Sequence, residues 1–150
     1  MFRGDNLDNV EIEKVKTDKK VKAKTSPLKI IPLGGIEEIG KNMTAFEYKE
    51  EIIVIDCGLA FPDEDLYGID VVIPDVTYLI KNKDKVKGFF ITHGHEDHIG
   101  SLPYILKQIN VPVYATKLAL GLIEIKLKEH KMVNDCTLNI VQPGDIVALN

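Results

Sequence analysis

The stretch VKGFFITHGHEDHIGSLPYILKQI, Val86–Ile109, decides how this chain is read. Val86–Thr92 is a short, mostly apolar run with the length and composition of a buried strand. From Leu102 the apolar residues Leu102, Ile105, Leu106 and Ile109 recur at i, i+3, i+4 and i+7, the spacing of a helix with one buried face. Pro103 falls in the first turn of that helix, where a missing N–H costs little. Between strand and helix stand His93, His95, Asp97 and His98. A polar cluster at the carboxyl end of a strand, leading into a helix, is where α/β sheets usually build their sites.

The flanking sequence extends the same alternation. LKIIPLGG reads as a short strand closing on Gly34–Gly35, a tight turn or a place where a backbone or phosphate approaches closely. Met43–Tyr48 and Glu51–Asp56 read as two strands joined at Lys49–Glu50. The unbroken apolar run IIVID predicts a strand covered on both faces. Leu59–Pro74, with Pro62, Pro74, Gly68 and several acidic residues, is a long loop of the kind that usually has a function. A short helix is expected over Val76–Asn82. Val111–Ala115 is then a strand, Thr116 an N-cap and Lys117–His130 a helix. Thr137–Val141 and Ile146–Leu149 are expected strands on either side of the turn QPGD. The fold class is therefore α/β, with no internal repeat.

A length of 150 residues allows one domain with a real core, and 45% apolar with 28% charged residues is the composition of a soluble globular protein. A formal net charge of −4 excludes a globally basic surface, so a basic surface for nucleic acid has to be local or be supplied by parts outside this chain. No apolar run approaches the roughly 18 residues of a membrane span, and the N-terminal stretch has no apolar signal core. A cytoplasmic location and no membrane contact are expected. Cys57 and Cys136 lack disulfide-framework or zinc-finger spacing and read as two buried structural thiols. Residues 1–27 carry six lysines between Lys14 and Lys24 against the single acid Asp18. They read as a disordered, solvated tail, or as a basic arm that strengthens contact with an RNA backbone.

The cluster itself carries the chemistry. His93 and His95 are two apart, so in an extended segment both imidazoles point to one side. Gly94 between them allows a sharp turn. Asp97 and His98 are expected to point apart from that pair and to hold a second ion close by. Imidazoles and a carboxylate suit zinc or a similar transition metal. Two ions about 3.5–4 Å apart can share a hydroxide and clamp both oxygens of a phosphodiester. The ligands must be deprotonated, so metal binding should weaken as pH falls. A solvated, histidine-rich loop is the competing explanation.

The six residues His93-Gly94-His95-Glu96-Asp97-His98 read HxHxDH, which resembles the signature of the metallo-β-lactamase superfamily. PLGGIEEIGKNM (Pro32–Met43), VIDCGLAFPDEDLYGIDVVIPDVTYL (Val54–Leu79), KGFFITHGHEDHIGSLPYIL (Lys87–Leu106) and VPVYATKLALGLIEIKLKEH (Val111–His130) are similar to the bacterial ribonuclease J family, a branch of the β-CASP ribonucleases. The resemblance runs from about Ile30 to the C-terminus. It implies the N-terminal half of an αββα sandwich, incomplete in this chain, from an enzyme that cleaves RNA with 5′-to-3′ exonuclease and endonuclease activity in RNA processing and decay. It further implies two zinc ions per complete site, with manganese able to replace them. His93 and His95 would hold the first ion. Asp97 and His98 would hold the second and act as the catalytic pair, with Asp97 also orienting the attacking water. Asp56 would brace the metal loop from behind.

Other residues receive smaller expectations. The loop Leu66–Asp70 resembles a family segment with a structural calcium ion, whose donors here would be the carbonyls of Tyr67 and Ile69; an ordinary acidic loop is the competing explanation. Glu96 is expected to orient neighbours or face solvent, and His130 to lie on the surface. The family also places a further histidine, a bridging aspartate, a final histidine and a β-CASP insertion downstream, whereas this chain ends at Asn150. Two ligands per ion bind zinc poorly. The chain alone is thus expected to have little catalysis and to expose an apolar face, while the full-length protein is expected to form a homo-oligomer or a ribonuclease complex with RNA as its partner. Two alternatives stand beside this: a hydrolase of the same fold acting on thioesters or lactams, and a non-catalytic binding or assembly module.

Overall fold

Along Met43–Tyr48 burial alternates, with Met43, Ala45 and Glu47 buried and Thr44, Phe46 and Tyr48 more open. A two-residue period of this kind sets one face of a strand against a core and the other on the opposite side of the sheet. The structure is a computed structural model that describes residues 26–149. Apart from Ser26 and Pro27, the expected lysine-rich tail lies outside the described residues.

Six strands form one sheet in chain order: β1 (Leu28–Gly34), β2 (Met43–Tyr48), β3 (Glu51–Ile55), β4 (Val86–Phe90), β5 (Val113–Ala115) and β6 (Leu138–Ile140). β1, β2 and β3 pair antiparallel, and from β3 onward the pairing is parallel. The helices are α1 (Thr77–Lys81), α2 (Glu96–Ile99), α3 (Leu102–Leu106) and α4 (Lys117–Glu129). Parallel strands laid down in sequential order by right-handed crossovers carry their connecting helices to the same side of the sheet. Accordingly Val54, Phe89, Val113 and Ala115 share one core with Leu79, Ile99, Leu102, Ile105, Ile123 and Leu127. Burying each large side chain in that set contributes about 1.5–3 kcal/mol.

The other sheet face is also apolar but poorly covered. Register places Ile30, Phe46 and Ile53 in one row, and Ile55, Phe90 and Tyr114 in the next. Ile30 is 61% exposed. Phe90 and Tyr114 stack with ring centroids 4.7 Å apart. The apolar face expected from the sequence is therefore present.

Several local expectations are corrected. β3 is covered on one face only, with Ile52 and Val54 buried and Ile53 and Ile55 half-buried. Ile146–Leu149 is not a strand, because beyond the turn at Gly144 it finds no neighbour to pair with among the described residues, and Ile146 is 95% exposed. The helix expected through Ile109 ends at Leu106, and a separate turn, α2, precedes it. Thr116 occupies the N-cap position of α4 without a capping side-chain bond. Cys57 is buried as expected, but Cys136 is only half-buried.

Candidate metal centre

Three chain segments meet beyond the carboxyl ends of β3 and β4: the β1–β2 connection, the residues after β3, and the residues from Ile91 through α2. Backbone bonds stitch them together. Asn42 N donates to Asp97 O at 3.1 Å, Gly58 N to Asn42 O at 3.0 Å, Cys57 N to His98 O at 2.7 Å and Leu59 N to Glu96 O at 3.2 Å. From α3's side, Ser101 donates its backbone N to Cys57 O at 2.9 Å and its buried hydroxyl to Gly58 O at 2.6 Å. A Cβ on Gly58 would lie 1.6 Å from Asp97 O, so only glycine permits this approach.

Within that frame the four sequence-derived residues come together. His93 Nε2 lies 3.2 Å from His95 Nδ1, and His98 Nε2 lies 3.4 Å from Asp97 Oδ2. The His93 ring centroid is 4.6 Å from that of His95 and 4.1 Å from that of His98. The shared orientation of His93 and His95 agrees with expectation. His98 does not point apart from them, because Glu96–Ile99 is a helical turn rather than extended chain, and this turn brings its ring back over His93.

Asp56 organises the cluster from beneath. Its Oδ1 accepts from Thr92 N at 2.8 Å, and its two oxygens take the Thr92 hydroxyl at 3.0 and 2.9 Å. Its Oδ2 lies 2.8 Å from His98 Nδ1. A carboxylate only accepts, so in this contact His98 donates from Nδ1, and its Nε2 faces Asn42 Nδ2 at 3.2 Å and Asp97 Oδ2 at 3.4 Å. Asp56 is 6% exposed and holds φ at 61°, a left-handed conformation that Asp tolerates better than most residues. Cys57 beside it is fully buried, and that burial, with the Asp56 charge adding to it, pushes its thiol well above the ordinary range.

The donor spacing suits divalent metal. Tetrahedral coordination with bonds of about 2.0–2.1 Å sets neighbouring donors about 3.3–3.4 Å apart. The pairs His93–His95 and Asp97–His98 stand at 3.2 and 3.4 Å. Among the described residues no three histidine, cysteine or carboxylate side chains form one metal-holding group. The arrangement is thus two pairs, each able to fill half of a coordination shell.

The remaining candidates lie elsewhere. Glu96 is exposed and pairs with Lys126 at 2.7 Å, tying the histidine-bearing loop to α4. His130 ends α4 and packs edge-on against Tyr104 at 5.0 Å. Tyr67 and Ile69 are 91% and 48% exposed, in a loop closed by bonds from Leu66 N to Asp63 O and from Ile69 N to Leu66 O. Sequence reasoning missed the clamping role of Thr92, and it missed Asn42. Asn42 contacts a partner 55 positions away, and its only local signal is a lone amide ahead of a buried strand.

The profile of the metallo-beta-lactamase superfamily matches residues 37–129. The chain is 51% identical over 126 residues to Ribonuclease J of Synechocystis sp., a match covering 83% of this chain and 20% of that protein. It is 57% identical over 117 residues to Ribonuclease J of Mycoplasma pneumoniae, covering 77% and 20%. The chain therefore spans about a fifth of the length of the curated relatives it matches. A solved structure of the metallo-beta-lactamase SMB-1 in a complex with mercaptoacetic acid is similar in fold, with a TM-score of 0.50, 18% identity, and coverage of 84% of this chain and 51% of that one. Among the described residues no helix is long and apolar enough to cross a membrane.

Proposed function

The chain belongs to the metallo-beta-lactamase superfamily, and from that premise we propose that it supplies part of a two-metal centre that hydrolyses RNA. The observation that carries this is the pair of donor pairs, at 3.2 and 3.4 Å, held within one opening by three interlocked segments. RNA as substrate is supported by the Ribonuclease J relatives. His93 and His95 would hold one ion, and Asp97 and His98 the other. Zinc or manganese held there would supply Lewis-acid activation of a water and charge stabilisation on the phosphodiester oxygens.

The protein's own residues do the positioning. Asp56 keeps the proton of His98 on Nδ1, leaving Nε2 as the donor. Thr92 ties the start of the loop to the same carboxylate, which fixes the chain directly before His93. The Asp97 carboxylate would orient the attacking water. Exonucleolytic 5′-to-3′ cleavage and endonucleolytic cleavage both belong to this proposal, as does work in the cytoplasm. With a net charge of −4 on this chain, the RNA backbone would be met by a local basic surface or by parts of the protein outside this chain.

The test is cleavage of 5′-monophosphorylated RNA by the whole protein with zinc or manganese. Chelation should abolish it. His95→Ala and Asp97→Asn should each lower kcat/KM by two orders of magnitude or more, about 2.7 kcal/mol of transition-state stabilisation. Unchanged cleavage in both variants, or turnover of a thioester or lactam in place of RNA, overturns the assignment.

A further inference from the structure

Asn42 occupies a singular position in the centre. Its Nδ2 lies 3.0 Å from Asp97 Oδ2, 3.1 Å from Asp97 O and 3.2 Å from His98 Nε2. The oxygen and ring nitrogen of that set are the two donors assigned to the second ion, themselves 3.4 Å apart. An amide hydrogen projects about 1 Å beyond its nitrogen, toward the space between acceptors set at hydrogen-bond distance. Because Asp56 takes the Nδ1 proton, His98 Nε2 has a lone pair to offer, and the Asn42 amide is the group that faces it.

The backbone around Asn42 is built to hold it there. Its N donates to Asp97 O, and its own O accepts from Gly58 N. The double glycine upstream makes the room. A Cβ on Gly34 would lie 2.3 Å from Lys41 O, and a Cβ on Gly35 would lie 2.7 Å from Asn42 Oδ1. Gly34–Gly35 thus leaves the room that the Lys41–Asn42 segment occupies.

We propose that Asn42 is the positioning residue for the second metal ion. Its amide holds Asp97 Oδ2 and His98 Nε2 at ligand spacing before an ion arrives, and it swings off both when the ion takes their lone pairs. The backbone bonds from Asn42 N to Asp97 O and from Gly58 N to Asn42 O keep the segments in place when it does. His93 and His95 make no contact of this kind with Asn42, so the effect falls on one ion of the two. The inference rests on the two-ion assignment above.

The experiment titrates the whole metal-free protein with Co2+ alone, reading the visible d–d bands and the number of ions bound, and repeats it with Zn2+ against a chromophoric chelator. Asn42→Leu keeps the volume and removes the donor; Asn42→Ala removes both. Each variant should bind the second ion at least about tenfold more weakly. Affinity for the first ion should be unchanged, and the His98 Nε2 nitrogen resonance of the metal-free protein should be displaced. Equal loss of both ions together with a lowered melting midpoint would mean that Asn42 only supports the fold, which overturns the inference. Tighter binding of the second ion by Asn42→Leu would mean that the amide merely competes with the metal, which overturns it as well. A wild-type protein that takes up a single ion refutes the two-ion assignment instead, so the two failures are distinct.

Discussion

Asp56 shows how one side chain can set the chemistry of several others. It bonds Thr92 and His98, 36 and 42 positions away, while holding φ at 61°. Asn shares that backbone tolerance, whereas Ala pays roughly 1–2 kcal/mol for it. Asp56→Asn should therefore fold nearly as well as wild type yet bind metal about 10–100-fold more weakly. Asp56→Ala should lose stability as well, and chelator competition beside thermal melting separates the two effects. The cysteines give a second check at this scale. Cys57 is fully buried and Cys136 half-buried. An aromatic disulfide reagent should react with Cys136 in the native protein and reach Cys57 only on unfolding; equal native rates would contradict the packing.

Between elements, close approach and buried charge decide the outcome. Gly58 sits where the β3 exit crosses the metal loop, and Gly58→Ala would drive a methyl group into Asp97 O. Overpacking of this sort costs about 1–3 kcal/mol or more, and here it should also displace Asp97, so the denaturation midpoint and the metal affinity should fall together. At the far end of the sheet Glu47 points into the core side of β2. It is bonded by Tyr78 and by Lys29 at 3.1 Å, with Lys85 at 3.9 Å. The Tyr78 hydrogen bond, then that of Lys29, holds its carboxyl below the ordinary value of about 4.5. A lowered folded-state pKa stabilises the fold above the unfolded value and stops doing so as pH falls through the folded one. Glu47→Gln should therefore flatten the decline in melting midpoint below about pH 4.5. An unchanged acid limb would show that Glu47 is not part of it.

For the whole molecule, sequential parallel strands put the helices on one side and leave apolar residues on the other. Leu28 and Ile30, on edge strand β1, are 57% and 61% exposed on that second face. An apolar patch on an edge strand invites association. The double change Leu28→Lys with Ile30→Lys should reduce binding of an apolar fluorescent dye, and reduce self-association in sedimentation, without lowering the melting midpoint. A drop in stability equal to that of a core substitution would mean the face is covered after all.

The order of strands and helices was legible in the sequence because each follows from a local apolar period, and the periods of two and of about 3.6 differ plainly at β2 and α3. The cluster proposed to hold metal was legible for the same reason, since His93, His95, Asp97 and His98 lie within six consecutive residues. IIVID was misread because an apolar run does not say how many faces a strand has covered. Ile146–Leu149 was misread because a strand exists only with a partner. The tertiary structure alone decided that Asn42 meets Asp97 and His98, that Asp56 sets the proton of His98, and that Gly58 and the double glycine are spaces rather than simple turns. The Asn42 and Asp56 relations join residues 42 to 56 positions apart. They arise from strand register and the packing of three loops, and no local pattern in the chain encodes them.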